Sequence, residues 1–392
     1  MAIQLNKIPE KKVLPEPPSM VRWIIIVAFI MVLGILVSLY FWPSGISTHS
    51  AWFWFCTFLI PFFSGAILYA SRLRYYENER DRVFHWNQLY QTEYDAHVEL
   101  GQRSIAVLGT SYITPVGSNK LISAVQKVGS PLQTQYYTHL QQSLTTAQLK
   151  PLLEEFTVSE YQTRLKENLE QLLKGIQLDS FGLQDSISIR IRHDGIIDNS
   201  MLLAIWQELF PVSIAVSKVE VLTTDDGLMW IDTWLDKNDV SLVLSVEINL
   251  FQNPREKETE SVSALLLASS DWLKKNSVQP KAIIHRPVVV KNKNDLADVA
   301  RWGLFEPGES FSLWRTQVES QKLAELLMMM DEGKYLQEMD GDNFLDDLMG
   351  RPGTSVGNVA LICASEQAAE RKHVQWIVAT DETTHLAIVR PV

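Results

Sequence analysis

Two almost unbroken apolar runs, Trp23 to Trp42 and Ala51 to Ala70, stand back to back near the start of a 392-residue chain. Each is about twenty residues, enough at a rise of 1.5 Å per residue to cross a hydrocarbon core of roughly 30 Å. Both predict transmembrane helices, joined by Pro43 to Ser50, a loop with no Lys or Arg. Lys7, Lys11, Lys12 and Arg22 precede the first run, and Arg72, Arg74, Arg80 and Arg82 follow the second. That distribution places both ends of the hairpin in the cytoplasm. Trp23, Tyr40, Trp42, Trp52, Trp54, Tyr69 and Tyr75 crowd the edges, where amphipathic rings settle. A cleaved signal peptide has a shorter apolar region and a small-residue cleavage site. Pro61, inside the second run, needs neighbouring groups to satisfy the carbonyl that it frees.

The hairpin divides the chain into a Pro-rich disordered cytoplasmic tail (1–20), the membrane hairpin (21–76), a linker or helix (77–101) and a folded body (102–392) whose second half begins near 281. With 46 Asp and Glu against 35 Lys and Arg, the net charge of -11 argues against a nucleic-acid-binding surface. The only cysteines are Cys56, inside the second run, and Cys363. The body can therefore hold neither a disulfide framework nor a cysteine-based zinc site, in keeping with a reducing cytoplasm.

Along the body, strand and helix patterns alternate, the rhythm of a layered α/β fold. Arg103 to Leu108 reads as a strand ended by Gly109, Pro115 and Gly117, and Lys120 to Val128 as a helix. Ser159 to Lys174 is an amphipathic helix closed by Gly175. In Ser186 to Arg192, Ile187, Ile189 and Ile191 alternate with Ser188, Arg190 and Arg192, which predicts a half-buried strand with a polar face in water. Helix Met201–Phe210, strand Val212–Leu222, helix Leu228–Leu235 and strand Val240–Leu250 follow, and Ser261–Ala268 pairs back on the last of these. Ala282–Val290 extends the strand series, and Asp295–Trp302 and Glu319–Met330 are helical. Asp331–Leu348 is acidic and irregular. A helix over Asn358–Lys372 precedes a closing hairpin, Val374–Ala379 and His385–Val389.

Ser104 to Asn119, an apolar strand, a Gly and then Thr114-Pro115-Val116-Gly117, resembles the opening of the β-ketoacyl synthases of the thiolase-like superfamily. Asp239–Asn249, Ser261–Ala268 and Gly353–Ala369 resemble, in order, two later strands and the C-terminal Gly/Ala-rich helix of that family. The resemblance implies a thiolase-like layered α/β body. It also implies a cysteine nucleophile at a strand-to-helix elbow and two histidines that stabilise enolate and oxyanion. None of these is present: no cysteine lies between Cys56 and Cys363, an elbow between 186–192 and 201–210 offers only Ser200, and Gly353 to Asn358 holds no His.

The hairpin, the strand Ile105–Gly109, Asp271–Leu273 and His285-Arg286-Pro287 together resemble the type VI lipase adaptor family. That family couples a phospholipase effector to the spike of a type VI secretion system. The resemblance implies a membrane-anchored, non-catalytic adaptor at the bacterial inner membrane with protein partners, a lipase and a spike protein. The other readings are a divergent lipid- or acyl-modifying enzyme using Ser200 or His193, and a structural subunit of a membrane complex.

Other features have plainer readings. His193-Asp194 suits a polar turn better than a general-base pair, and His285-Arg286 a strand end at the sheet rim better than an anion site. Asp340, Asp342, Asn343, Asp346 and Asp347 miss the EF-hand pattern and read as a solvated acidic loop. Leu326 to Met330 suits a helix between layers or a partner surface, and Cys363 a small core residue. No catalytic, cofactor-binding or metal-binding residue is assigned. Nucleotide, zinc-protease and hydrolase motifs are missing.

Overall fold

The computed structural model describes residues 5, 8–181, 185–237 and 241–392. The chain divides into two compact units, Gln4–His97 and Val98–Val392. In the first, α1 (Met20–Phe41) starts at Ser19, whose hydroxyl caps the Arg22 amide, and α2 runs through Ala51–Gly101. Both helices are long and apolar enough to cross a membrane. The region read as a linker or helix, 77–101, is the continuous end of α2. Pro61 cannot donate to the preceding turn, and that turn, Phe55–Leu59, widens to π geometry. The Cys56 carbonyl there accepts from Ser38 Oγ of α1 at 3.4 Å. The two helices touch at Gly34, where a Cβ would lie 2.2 Å from the Pro61 ring.

Residues 9–19, part of the tail read as disordered, have no helix or strand, yet they lie along α2. The Lys12 amide and carbonyl bond the Asn87 side chain at 2.9 Å each. Ile8 and Val83 are buried in this unit. Residues 1–4 of the tail, with 6 and 7, lie outside the described residues.

The second unit contains α3 (Leu121–Val128), α4 (Val158–Ile176), α5 (Asn199–Leu209), α6 (Met229–Leu235), α7 (Ser270–Asn276), α8 (Lys293–Trp302), α9 (Ser320–Glu332), α10 (Leu345–Met349) and α11 (Val356–Arg371). Its strands are β1 (Ser104–Ile113), β2 (Gln133–Tyr137), β3 (Gln142–Thr146), β4 (Ile187–Arg192), β5 (Val216–Leu222), β6 (Leu242–Asn249), β7 (Ser261–Ser269), β8 (Ala282–His285), β9 (Val288–Val289), β10 (Phe311–Thr316), β11 (Met339–Phe344), β12 (Val374–Thr380) and β13 (Thr384–Arg390). They follow the order β11-β10-β12-β13-β8-β1-β7-β6-β4-β5, while β2 and β3 form a separate hairpin.

This order is one half written twice. In each half the first three strands and their crossover helices lead to a middle helix and then to an antiparallel pair, β6/β7 or β12/β13. Around β4 and around β10 the pairing is parallel. Alternate residues of each half-sheet enter different cores. Val243, Leu265 and Leu267 face a central core with α6 and α11, whereas Leu244, Leu266 and Ile189 face α4 and α5. Leu313, Trp376 and Ile388 face α8 and α9. Helix α11 touches strands of both halves and is buried over most of its length, so the layers run helix, sheet, helix, sheet, helix.

Two sequence expectations change. Arg190 and Arg192 do not face water: both are buried, because the central layer covers the face that alternation assigned to solvent. The segment read as irregular, 331–348, instead forms a helical turn, β11 and α10, with β11 pairing parallel to β10. Asp239 and Val240, at the start of one motif strand, lie outside the described residues.

Candidate functional site

At the carboxyl ends of β4 and β6, where parallel α/β sheets commonly bind ligands, the inner face of the first half carries polar side chains instead of an apolar core. Arg190 donates Nε and Nη2 to Asp225 Oδ2 at 3.0 and 2.5 Å, and Nη1 to Ser245 Oγ and Glu247 Oε1 at 3.2 Å each. Its guanidinium lies 4.7 Å from the Trp230 ring of α6. Glu247 is fully buried, and its Oε2 accepts the Asn358 amide at 2.7 Å. That amide belongs to the first turn of α11, whose N-terminal dipole favours a carboxylate. Residue 357 is glycine because a Cβ there would come within 3.0 Å of Glu247 Oε1. Burial pushes the Glu247 carboxyl up, opposed by Arg190 and Arg192.

The Asn358 side chain is spent on the same cluster: Nδ2 donates to the Ser245 carbonyl at 3.0 Å, and Oδ1 accepts from Ser245 Oγ at 3.0 Å. Arg192 meets Asp381 at 2.5 Å, and its Nε and Nη1 have no hydrogen-bond partner among the described residues. Asp226 accepts from Thr383 N and Oγ1 and sits 2.8 Å from His385 Nε2. Burial pushes the Asp226 carboxyl up, but the Thr383 groups and His385 outweigh it and hold the carboxyl below its usual value. Burial lowers His385, against the pull of Asp226. These groups tie the β5–α6 junction to the β12–β13 turn.

That junction, Thr223 to Leu228, is the one that looks onto the central layer, and it holds Asp225, Asp226 and Gly227 with no cysteine. The elbow expected between β4 and α5 lies instead on the outer layer, and Ser200 is exposed in the first turn of α5. His193 is buried, with Nε2 2.8 Å from Asn199 Oδ1 and Nδ1 accepting the Gly195 amide, while Asp194 is taken by Arg255 at 2.6 Å. These two close a turn and do not converge on Ser200.

His285 and Arg286 are buried, not at the rim. Arg286 pairs with Asp232 and with Asp236, the latter at 2.9 Å. Burial, and then the nearby Arg390, pull His285 down to about 4. Asp340 reaches His373 at 3.2 Å, Asp342 reaches Arg315 at 2.8 Å, and Asp346 accepts from Thr316 Oγ1 at 2.8 Å, so the acidic segment is tied to β10 and its surroundings. In α9, Leu326 and Met330 are buried and Met328 is exposed. Burial holds the Cys363 thiol well above its usual value. Among the described residues, no three His, Cys, Asp or Glu side chains converge as metal ligands.

The buried ion cluster was not singled out in the sequence. Its signal was a charge inside an otherwise apolar strand, Glu247 between Val246 and Ile248.

Neither a family model nor a curated protein matches the chain. Solved structures do. A type II polyketide ketosynthase, in complex with its acyl-carrier protein, is 14% identical, with a TM-score of 0.50 over 74% of this chain and 99% of that one. A β-ketoacyl synthase from Burkholderia phymatum is 10% identical, with a TM-score of 0.52 over 74% of this chain and 100% of its own. A ketosynthase domain from Streptomyces albus is 9% identical, with a TM-score of 0.53 over 74% of each chain. At such identities the likeness concerns the fold, and the fold of this α/β body is the thiolase-like fold of the ketosynthases.

Proposed function

We propose that this chain is a membrane-anchored scaffold whose thiolase-like body binds proteins and does not condense acyl groups. The observation that carries the reading is Glu247: fully buried, it is bonded by Arg190 and by the first turn of α11, at the sheet end where a condensing enzyme would need open space and a nucleophile. A thioester has no thiol to form on there. The hairpin would hold the body at the cytoplasmic face of a bacterial inner membrane, since cations flank its outer ends and the connecting loop has none.

For partners we propose a lipase effector and the spike protein of a type VI secretion apparatus, on the strength of the resemblance carried by Asp271–Leu273 and His285–Pro287. The test is co-expression of the full chain with a lipase and a spike protein encoded beside it. The expected outcome is a membrane-extracted complex containing both, and no condensation product from acyl and malonyl thioesters. Condensation activity, or failure of the lipase to co-purify, would overturn the reading.

A further inference from the structure

Beyond its apolar run, α2 continues to Gly101 as an arm with almost nothing to bury. Among the described residues from Arg72 to Leu100, Val83 is the only buried side chain. A helix of this kind gains little from packing of its own. The arm nevertheless carries one stripe of distinct chemistry: Val83, Trp86, Asn87, Tyr90, Gln91 and Tyr94, spaced three and four apart, fall on a single face.

The N-terminal tail lies on this stripe and is held mainly by its backbone. Asn87 meets both main-chain groups of Lys12: Oδ1 accepts the amide and Nδ2 donates to the carbonyl, at 2.9 Å each. Trp86 Nε1 donates to the Glu10 carbonyl at 3.3 Å. The two ammonium groups then cover rings, Lys12 over Trp86 at 4.5 Å and Lys11 over Tyr90 at 5.3 Å, and Lys11 Nζ donates to Gln91 Oε1 at 2.8 Å. An amide that pairs with both groups of one residue, beside an indole that bonds a carbonyl, suits an extended peptide whatever its small side chains. Pro9, Pro15, Pro17 and Pro18 keep the tail extended before it docks, so docking orders little more of it. Ile8 is the only side chain that residues 8–19 bury, so the contact is shallow and belongs to the easily opened part of the unit.

We propose that residues 8–12 are a releasable strap, closed on a peptide-reading face of α2 that an extended, lysine-bearing segment of a partner takes when the strap opens. Closed, it stiffens the arm and denies that face to the competitor. Open, it leaves Trp86, Asn87, Tyr90 and Gln91 to the competitor. All of these groups lie within Gln4–His97, and the strap stands whether or not the lipase and the spike protein are the partners.

The test is hydrogen–deuterium exchange on the full chain in detergent micelles, resolved to single amides over residues 8–19. The Lys12 amide, held by Asn87, should exchange about tenfold more slowly than the amides of Val13 and Leu14. Asn87→Ala should abolish that difference, and Gln88→Ala, outside the stripe, should keep it. Lys11→Gln with Lys12→Gln leaves the helix untouched and so separates a lost contact from a damaged arm; it should cut the protection about threefold. A synthetic peptide of residues 8–19 at about 5 mM, above the roughly millimolar effective concentration of a short tether, should speed Lys12 exchange about threefold. The same peptide with both lysines changed to glutamine should not. Equal exchange across residues 12–14, protection that survives Asn87→Ala, or a native peptide without effect would overturn the strap.

Discussion

The two halves of the α/β body share one topology but fill their inner faces differently. In the second half the inner face holds Trp314, Ile377, Ala379, Ala387 and Val389, packed on the 16-residue helix α11. In the first, the matching middle helix α6 has only seven residues, and the sheet below it carries Arg190, Arg192, Ser245 and Glu247. Under the short helix the chain buries paired ions, where the inner face of the other half-sheet carries only uncharged side chains. The two materials fail differently. Hydrocarbon loses a contact when it is truncated, whereas a buried ion pair leaves its partner charged and dry.

That contrast can be broken at several points. Glu247→Ala should destabilise the protein by about 3–5 kcal/mol, because Arg190 and the Asn358 amide lose a fully buried acceptor. Urea unfolding of the detergent-solubilised chain reads this directly, and Glu247→Gln, which keeps an acceptor, should recover part of it. Acid should act on the start of the second half through His285. Its folded pKa, about 4, lies below the ordinary value of 6.5, so its contribution is complete above pH 6.5 and lost as pH falls towards 4. The loss is on the order of 3 kcal/mol, and His285→Gln should flatten that part of the profile of unfolding midpoint against pH. Truncation on the hydrocarbon side is milder. Ile377→Val, at a fully buried site, should cost roughly 0.5–1.5 kcal/mol in the same unfolding measurement. Ser200→Ala should change stability by less than about 0.5 kcal/mol, since Ser200 is exposed.

Periodicity exposed most of the fold. Helix α4 follows its leucine spacing and is fixed by a capping box between Thr157 and Glu160, and β6 with β7 forms the expected antiparallel pair. The β2–β3 hairpin escaped because Gln133 to Thr146 is mostly polar: β2 is exposed except for Tyr137, and in β3 only Leu144 and Thr146 are buried, too few apolar positions for an alternation to show. The ion cluster escaped for the opposite reason. Alternation says that Arg190 and Arg192 share a face, but not whether that face meets water, and the answer came from α11, about 170 residues further on. Strand β11 was hidden by its aspartates, which a parallel edge strand tolerates because one side of it is open.

The π turn at Phe55–Leu59 has a consequence for angular phase. One added residue turns everything before it by about 100° about the helix axis relative to a regular helix. The first turn of α2 is thereby rotated against the rest, so that Phe53 points at Trp42 while Trp52 and Trp54 point outward. Pro61 thus acts at a distance of two turns: it sets which ring closes the hairpin and which rings are left exposed.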